Sequence, residues 1–276
     1  MATHLPVIPG GHAEGFGATA RGDKWWVGPG FTFVVFTTFV IYTTWALFQA
    51  QHYYAAPYLS PYYSPVLFTD VTAAGAAPVE HAWFGTWPSW WPDFIPSSPA
   101  MLILVFPLSF RMTCYYYRKA YYRSFAGSPP GCAVGPLAGK RKYNGETKLL
   151  IIQNAHRFAL YAALAFIFLL GYDALISFKR HGEYGIGVGS IILCINVVLI
   201  ACYTFGCHSL RHLVGGRKDC MSCGKNTMQY EAWKKAGWFN ARHMQFAWAS
   251  LVWVMVTDLY VRLVSMGTIT DLNTWN

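Results

Sequence analysis

Two histidines and two cysteines within one short stretch could bind a soft metal. The stretch GCHSLRHLVGGRKDCMSCGKN contains His208 and His212, one helical turn apart, followed by Cys220 and Cys223 in a C-x-x-C arrangement. Imidazole nitrogen and thiolate sulfur are the donors found in structural zinc sites and in iron–sulfur clusters of Rieske type. The residue types therefore predict a metal or redox centre, and its chemistry depends on what else reaches the same place.

The chain that carries these residues has the composition of a membrane protein. Of its 276 residues, 54% are hydrophobic and only 12% are charged, against about 25% charged in soluble domains. Five apolar stretches approach the length that crosses a hydrocarbon core of about 30 Å, and in lipid such stretches must be helical. The sequence predicts an all-α integral membrane protein, one anchor domain over residues 1–276 with a long loop at 51–97. The five predicted transmembrane helices cover about 31–50, 100–118, 156–178, 186–210 and 241–265.

The basic residues predict how this bundle is oriented. Eighteen of the 21 Lys and Arg residues lie in the N-terminal arm, in 111–157 and in 208–242, and the other three lie in the alternate connections and at the far end of the fifth helix. Because cytoplasmic loops are enriched in Lys and Arg, the N-terminus is predicted to be cytoplasmic and the loop 51–97 external. The net charge of +9 then reflects topology in a multi-pass protein of the cell membrane, and no nucleic-acid partner is expected.

This topology brings further histidines to the cytoplasmic level. His156 begins the third helix and His243 the fifth, on the side where the 206–226 stretch also lies. Three readings stay open from the residues alone. They are a zinc site of the Cys₂His₂ kind, a b-type haem between His156 and His243, and a Rieske-like two-iron cluster. In the third, Cys220 and Cys223 would bind one iron and two histidines the other, although the usual Rieske sequence pattern is missing.

The remaining cysteines receive a simpler interpretation. Cys114, Cys132 and Cys207 also fall on the cytoplasmic side, where disulfide pairing is disfavoured. Cys114, together with Cys194 and Cys202 of the fourth helix, is interpreted as a small packing residue.

Four stretches carry a family resemblance that covers nearly the whole chain. FRMTCYYYRKAYYRSF, QNAHRFALYAALAF, GCHSLRHLVGG and NARHMQFAWASLVWVMVTDLYVRLV resemble the membrane-anchor, cytochrome b-like subunit of actinobacterial and mycobacterial succinate dehydrogenases, or complex II. The resemblance implies a five-helix anchor that holds a flavoprotein and an iron–sulfur subunit on the cytoplasmic face and passes electrons to quinone. A second, outer haem is not expected, because the outer half offers only His52, His81 and His181.

The mycobacterial branch of this family further implies a membrane-embedded Rieske-like [2Fe–2S] cluster in place of haem. That implication favours the ligand set Cys220, Cys223, His156 and His243, with His208 and His212 as alternates, over the haem b and zinc alternatives. Electrons from the iron–sulfur subunit are then expected to reach menaquinone or ubiquinone. A zinc-binding membrane sensor or transporter is the alternative of a different functional class.

A quinone carbonyl that becomes anionic needs hydrogen-bond donors and nearby positive charge. The inner-side candidates are Arg111, Tyr117, Trp26, Arg242 and Trp248. Tyr and Trp also belt membrane interfaces and Arg also snorkels, so each has an ordinary structural alternative. In the outer halves of the third and fifth helices, Asp173 and Asp258 could serve a quinone or proton route, whereas the spacing of Asp258 and Arg262 indicates an i,i+4 ion pair.

Overall fold

Four helices are candidates to span a membrane in the computed structural model, which describes residues 17–137, 148–216, 220, 223 and 227–275. Each of these helices is long and apolar enough to cross a membrane. They are α1 (Val27–Gln49), α5 (Leu149–Ile176), α6 (Val188–Phe205) and α9 (His243–Ser265). The prediction of an all-α membrane protein is confirmed at this level.

Shorter elements connect these four helices. They are β1 (Tyr54–Ala55), β2 (Tyr58–Leu59), a 3-10 turn (Val79–His81), α2 (Pro99–Ile103), α3 (Val105–Thr113), α4 (Tyr115–Ala120), a π-helical turn (Tyr121–Phe125), β3 (Lys179–Arg180), β4 (Glu183–Tyr184), α7 (His208–Gly215) and α8 (Thr227–Ala241). Strand β1 pairs antiparallel with β2, and β3 pairs antiparallel with β4.

The predicted helix over 100–118 is not continuous. Leu104 separates α2 from α3, and Cys114 separates α3 from α4 with an extended backbone at φ −68° and ψ 135°. Pro107 explains the first interruption, because proline has no N–H to donate to the carbonyl four residues earlier. Within the described residues, four helices rather than five therefore meet the length and hydropathy of a single crossing.

The predicted fourth helix also divides. Helix α6 ends at Phe205, and residues 208–215 form the separate helix α7 after an extended Cys207. The following connection contains a helix that hydropathy did not predict, α8, whose sequence mixes charged and aromatic residues. The break before α7 was not predicted because hydropathy is averaged over a window much longer than the break. Helix α8 was not predicted because hydropathy does not detect polar helices.

By contacts within the chain, the described residues of 17–37 and 115–137 form one compact unit, and the described residues of 38–114 and 148–275 form another. In the first unit, aromatic rings pack against each other where Phe36 contacts Tyr117 and Phe125. The Thr19 hydroxyl donates to the carbonyl of Ala133 at 2.6 Å. The second unit contains the segment 51–97, α2, α3 and helices α5 to α9.

In the second unit, two carboxylates hold segment 51–97 against the helices. Asp258 of α9 accepts hydrogen bonds from the hydroxyls of Ser60 and Tyr42. Asp173 of α5 accepts one from Ser64. The spacing of Ser60 and Ser64 in the sequence SPYYSP lets one short stretch of chain bind two different helices. These contacts explain why a Pro- and Tyr-rich segment with little regular structure folds compactly.

Arg262 compensates the charge of Asp258. The Arg262 Nε lies 3.2 Å from Asp258 Oδ2, and both side chains are almost fully buried. Arg262 also donates to the carbonyl of Gln51 at 2.7 Å. The i,i+4 pair indicated by the sequence is thus confirmed, and it connects α9 to segment 51–97.

We expect Asp258→Asn to destabilise the protein by about 3 kcal/mol, because it leaves the buried Arg262 guanidinium without a counter-charge. The measurement is the thermal stability of this subunit in the detergent-solubilised protein. Asp23→Asn is the matched control, since the Arg21–Asp23 pair is solvent-exposed and such pairs contribute little. Equal stability of the two variants would contradict a structural role for the buried pair.

Candidate metal centre

Four side chains from separate elements meet as two histidine–cysteine pairs. His156 Nε2 of α5 lies 3.1 Å from Cys207 Sγ, at the start of α7. His243 Nε2, on the first residue of α9, lies 3.7 Å from Cys114 Sγ, at the end of α3. Cys114 is close enough to Cys207, and His208 and His156 are close enough to His243, for their charges to interact. We call Cys114, His156, Cys207 and His243 the His–Cys site.

Both cysteines stand where a helix is interrupted. Cys207 has φ −63° and ψ 135°, nearly the same extended conformation as Cys114. Non-helical backbone at membrane depth is tolerated where it is buried in protein or lines a site. The Cys207 sulfur also accepts the backbone N–H of Ser209 at 3.3 Å and so caps α7. The interruptions therefore direct two thiols toward the two imidazoles.

Burial governs the protonation of the Cys207 thiol. Burial raises the pKa of Cys207, the nearby N–H groups of Leu210 and Ser209 lower this pKa, and the neighbouring Cys114 raises it further. In the absence of a metal the thiol form is favoured. A bound metal would replace the proton, because a coordinating thiol is deprotonated.

An aromatic ring stacks on each imidazole. Phe110 is nearly parallel to His156, with ring centroids 4.6 Å apart, and Tyr203 is nearly parallel to His243 at 5.0 Å. Phe110 and Tyr203 meet edge-on at 5.3 Å, so the two stacks form one packed group. The Thr113 hydroxyl lies 2.8 Å from His156 Nδ1, which leaves Nε2 directed at sulfur. Such contacts to the second ring nitrogen are typical of metal-binding histidines.

The predicted ligand set is divided in the structure. His156 and His243 each contact a cysteine sulfur of the His–Cys site, whereas Cys220 and Cys223 are exposed and joined to each other in a disulfide. A disulfide has no thiolate to offer, and this pairing also differs from the expectation of unpaired cysteines on that side. The alternates His208 and His212 are exposed on α7. Among the described residues, no three His, Cys, Asp or Glu side chains converge on one point.

Sequence reasoning missed the two thiols that contact the imidazoles. Cys114 was interpreted as a packing residue, and Cys207 was predicted to lie on the cytoplasmic side without a role. A local signal existed for Cys207, because the preceding Gly206 is a common residue at helix ends. The sequence offered no comparable signal for Cys114, whose neighbours in RMTCYYYR are ordinary helix residues.

Three of the five predicted quinone residues lie in the second unit. Arg111 donates from Nη2 to the Ser250 hydroxyl at 3.2 Å and lies over the Tyr203 ring at 5.0 Å. Arg242 immediately precedes His243 and lies over the ring of Trp238 at 4.1 Å, and Trp248 is partly buried on α9. The other two belong to the first unit, in which Trp26 is exposed and Tyr117 is buried.

Comparison with known proteins identifies the family. The family model described as actinobacterial succinate dehydrogenase subunit SdhC matches residues 27–267. The chain belongs to this family. It is also 40% identical to a chain in the structure of the Mycobacterium smegmatis Sdh1 complex in the apo form, over 94% of each chain and with a TM-score of 0.79. No curated protein matches the sequence.

The family assignment confirms the predicted resemblance and the predicted class of enzyme. The chain is a membrane subunit of succinate dehydrogenase, a succinate:quinone oxidoreductase whose succinate chemistry takes place on partner subunits. Its apolar helices place it in the plasma membrane of an actinobacterium.

Gly206 leaves no room for a larger residue beside the His–Cys site. A Cβ at this position would lie 2.8 Å from His243 Nδ1 and 2.9 Å from the carbonyl oxygen of Phe239. We expect Gly206→Ala to lower the stability of the protein by about 1–3 kcal/mol, since overpacked sites must shift backbone or side chains. Thermal stability in detergent measures the effect.

The matched control is Gly171→Ala in α5, where the nearest atom to an added Cβ is 4.0 Å away. We expect this variant to be at least as stable as the parent, because alanine favours a helix over glycine. If Gly206→Ala were equally stable, the close approach of Gly206 to His243 would be incorrect.

Proposed function

We propose that this subunit holds a Rieske-like [2Fe–2S] cluster at the His–Cys site and connects the succinate-oxidising partners to quinone. The observation that supports this proposal is the pair of His–Cys contacts, which gathers two sulfur and two imidazole donors from four elements of the fold. Such a cluster, when bound, would accept one electron at a potential above that of all-thiolate clusters. Cys114 and Cys207 would bind one iron, and His156 and His243 the other.

The donor set fits a two-iron cluster better than a single metal. Each iron needs only two protein donors, because inorganic sulfides complete its coordination, whereas structural zinc needs four donors around one point. The His–Cys site supplies two thiols and two imidazoles, and the described residues contain no group of three such side chains that could hold a single metal ion. The ligand set in this proposal retains both predicted histidines and replaces Cys220 and Cys223 with Cys114 and Cys207.

The packing around the imidazoles argues against a b-type haem between them. Each Nε2 faces a cysteine sulfur rather than an open slot, at 3.1 Å for His156 and 3.7 Å for His243. One face of each imidazole is covered, by Phe110 and by Tyr203. A flat macrocycle would have to displace these neighbours, and it would use neither thiol.

The distribution of basic residues supports a cytoplasmic docking side. The His–Cys site lies where α9 begins and α6 ends, next to the connections that carry most of the Lys and Arg residues. We therefore place the N-terminus in the cytoplasm and the flavoprotein and iron–sulfur subunits on the same face. In this arrangement the interrupted run that begins with α2 and α3 supplies the fifth crossing, and contacts of Phe110 and Thr113 with His156 hold α3 against α5.

Cysteine substitutions test the ligand set directly. We expect Cys114→Ser and Cys207→Ser to remove iron and acid-labile sulfide from the purified complex in an amount equal to one two-iron cluster. They should also remove a rhombic EPR signal of Rieske type. Cys220→Ser and Cys223→Ser are the matched controls and should retain both. The opposite pattern would restore the C-x-x-C pair as the ligands, and zinc or haem in the parent complex would refute the proposal.

The quinone is proposed to bind near this site, with Arg242, Arg111 and Trp248 of the second unit as the candidate residues. Arg242 is the best defined of these candidates, because its side chain is exposed and the residue directly precedes His243, a proposed ligand. A cation there would stabilise negative charge that develops on a quinone oxygen.

We expect Arg242→Gln to raise the apparent KM for a soluble quinone about tenfold, since a charge-assisted hydrogen bond contributes roughly 1.5–3 kcal/mol. Succinate oxidation with an artificial dye that accepts electrons before the membrane subunit should be unchanged. Lys234→Gln removes an exposed positive charge from neighbouring α8 and serves as the control. Equal KM values for the two variants would remove Arg242 from the quinone site.

A further inference from the structure

The geometry points to Arg111 as the residue that raises the reduction potential of the proposed cluster, acting through Tyr203 on His243. This inference depends on the proposed function. In this role the Arg111 guanidinium acts on the cluster through its positive charge, and it neither binds the metal nor contacts the quinone.

A continuous stack leads from the cation to the proposed ligand. The Arg111 guanidinium carbon lies 5.0 Å from the centre of the Tyr203 ring, and Tyr203 is parallel to the His243 imidazole with centroids 5.0 Å apart. Tyr203 is only 2% exposed and His243 only 3%. The guanidinium is thus at most about 10 Å from the imidazole, with a buried aromatic ring as the intervening group.

Hydrogen bonds hold the guanidinium in this position. Arg111 donates to the hydroxyl of Ser250 at 3.2 Å and towards the carbonyl oxygen of Ala247 at 3.5 Å, both on α9. Ser250 and Ala247 are fully buried. These contacts draw the guanidinium toward the α9 face that also carries His243. An arginine that only snorkelled to the membrane surface would not need partners on this buried face.

A fixed cation at this distance favours the reduced form of a nearby redox centre. Reduction adds one negative charge, which the guanidinium attracts. With an effective dielectric constant of about 20 and a separation of about 10 Å, this attraction changes a one-electron equilibrium roughly tenfold. Arginine suits this role because it keeps its charge when partly buried.

The test is an EPR-monitored redox titration of the purified complex. We expect Arg111→Gln to lower the midpoint potential by a tenfold change in equilibrium, which is about 59 mV for a one-electron couple. Arg111→Lys keeps the charge and should stay closer to the parent. Lys234→Gln, which removes an exposed charge in an ion pair with Glu231, should not change the potential.

Two further variants keep the test decisive if Arg111→Gln does not retain iron. Ser250→Ala releases one hydrogen bond to the guanidinium, and Tyr203→Leu removes the ring between the cation and His243. A lowered potential in either variant supports the inference, and unchanged potentials in both overturn it. A parent complex without a Rieske-type signal would instead refute the proposed function. A parent signal combined with an unshifted Arg111→Gln potential would refute only the role of Arg111.

Discussion

The requirement that every buried backbone group be hydrogen-bonded controls how this protein can present side chains within the membrane. In a continuous helix the direction of each side chain is fixed by the helical geometry. Here the helices are interrupted at Cys114 and Cys207, and a local hydrogen bond closes the backbone at each interruption. The N–H of Cys114 donates to the carbonyl of Arg111 at 3.1 Å, and the N–H of Cys207 donates to that of Thr204 at the same distance. Arg242, just before His243, repeats this three-residue closure with Phe239. Three of the four residues of the His–Cys site thus lie at or directly after a tight local closure of the backbone.

Helix α9 contributes to the His–Cys site at one end and to the packing of segment 51–97 near the other end. Its first residue, His243, belongs to the His–Cys site, and its last turns carry the Asp258–Arg262 pair that binds segment 51–97. Fifteen residues separate His243 from Asp258, which is about 22 Å at 1.5 Å per residue. The hydroxyls of Ser60 and Tyr42 and the guanidinium of Arg262 already bind the Asp258 carboxylate. An acidic residue inside a span, often a sign of transport, is here accounted for by the packing of a loop.

The sequence predicted features that depend on many residues, such as apolar helices, better than features that depend on the conformation of a single residue. Long apolar stretches predicted α1, α5, α6 and α9, and the alternation of their ends placed His156 and His243 at the same end of the predicted bundle. The thiols that contact these imidazoles could not be predicted, because their positions depend on the backbone angles of Cys114 and Cys207 and on the packing of α3 against α5. The C-x-x-C motif attracted attention through its spacing in sequence, but its two sulfurs are adjacent enough to bond to each other. Helix α8 was missed because its charged residues interrupt any apolar run.

The low dielectric of the surroundings gives a physical reason for mixed ligands at the proposed centre. Placing charge in an apolar environment is costly unless opposite charge or hydrogen bonds compensate it. Four thiolates would introduce four negative charges, whereas two thiolates with two neutral imidazoles introduce two. The negative charge that reduction would add to such a centre can be offset by the N–H of Ser209, which donates to the Cys207 sulfur, and by the guanidinium of Arg111. On this view the histidines reduce the charge that the protein must bury, and Arg111 favours the arrival of an additional electron. The same residues that make the site tolerable within a membrane would then set how readily it is reduced.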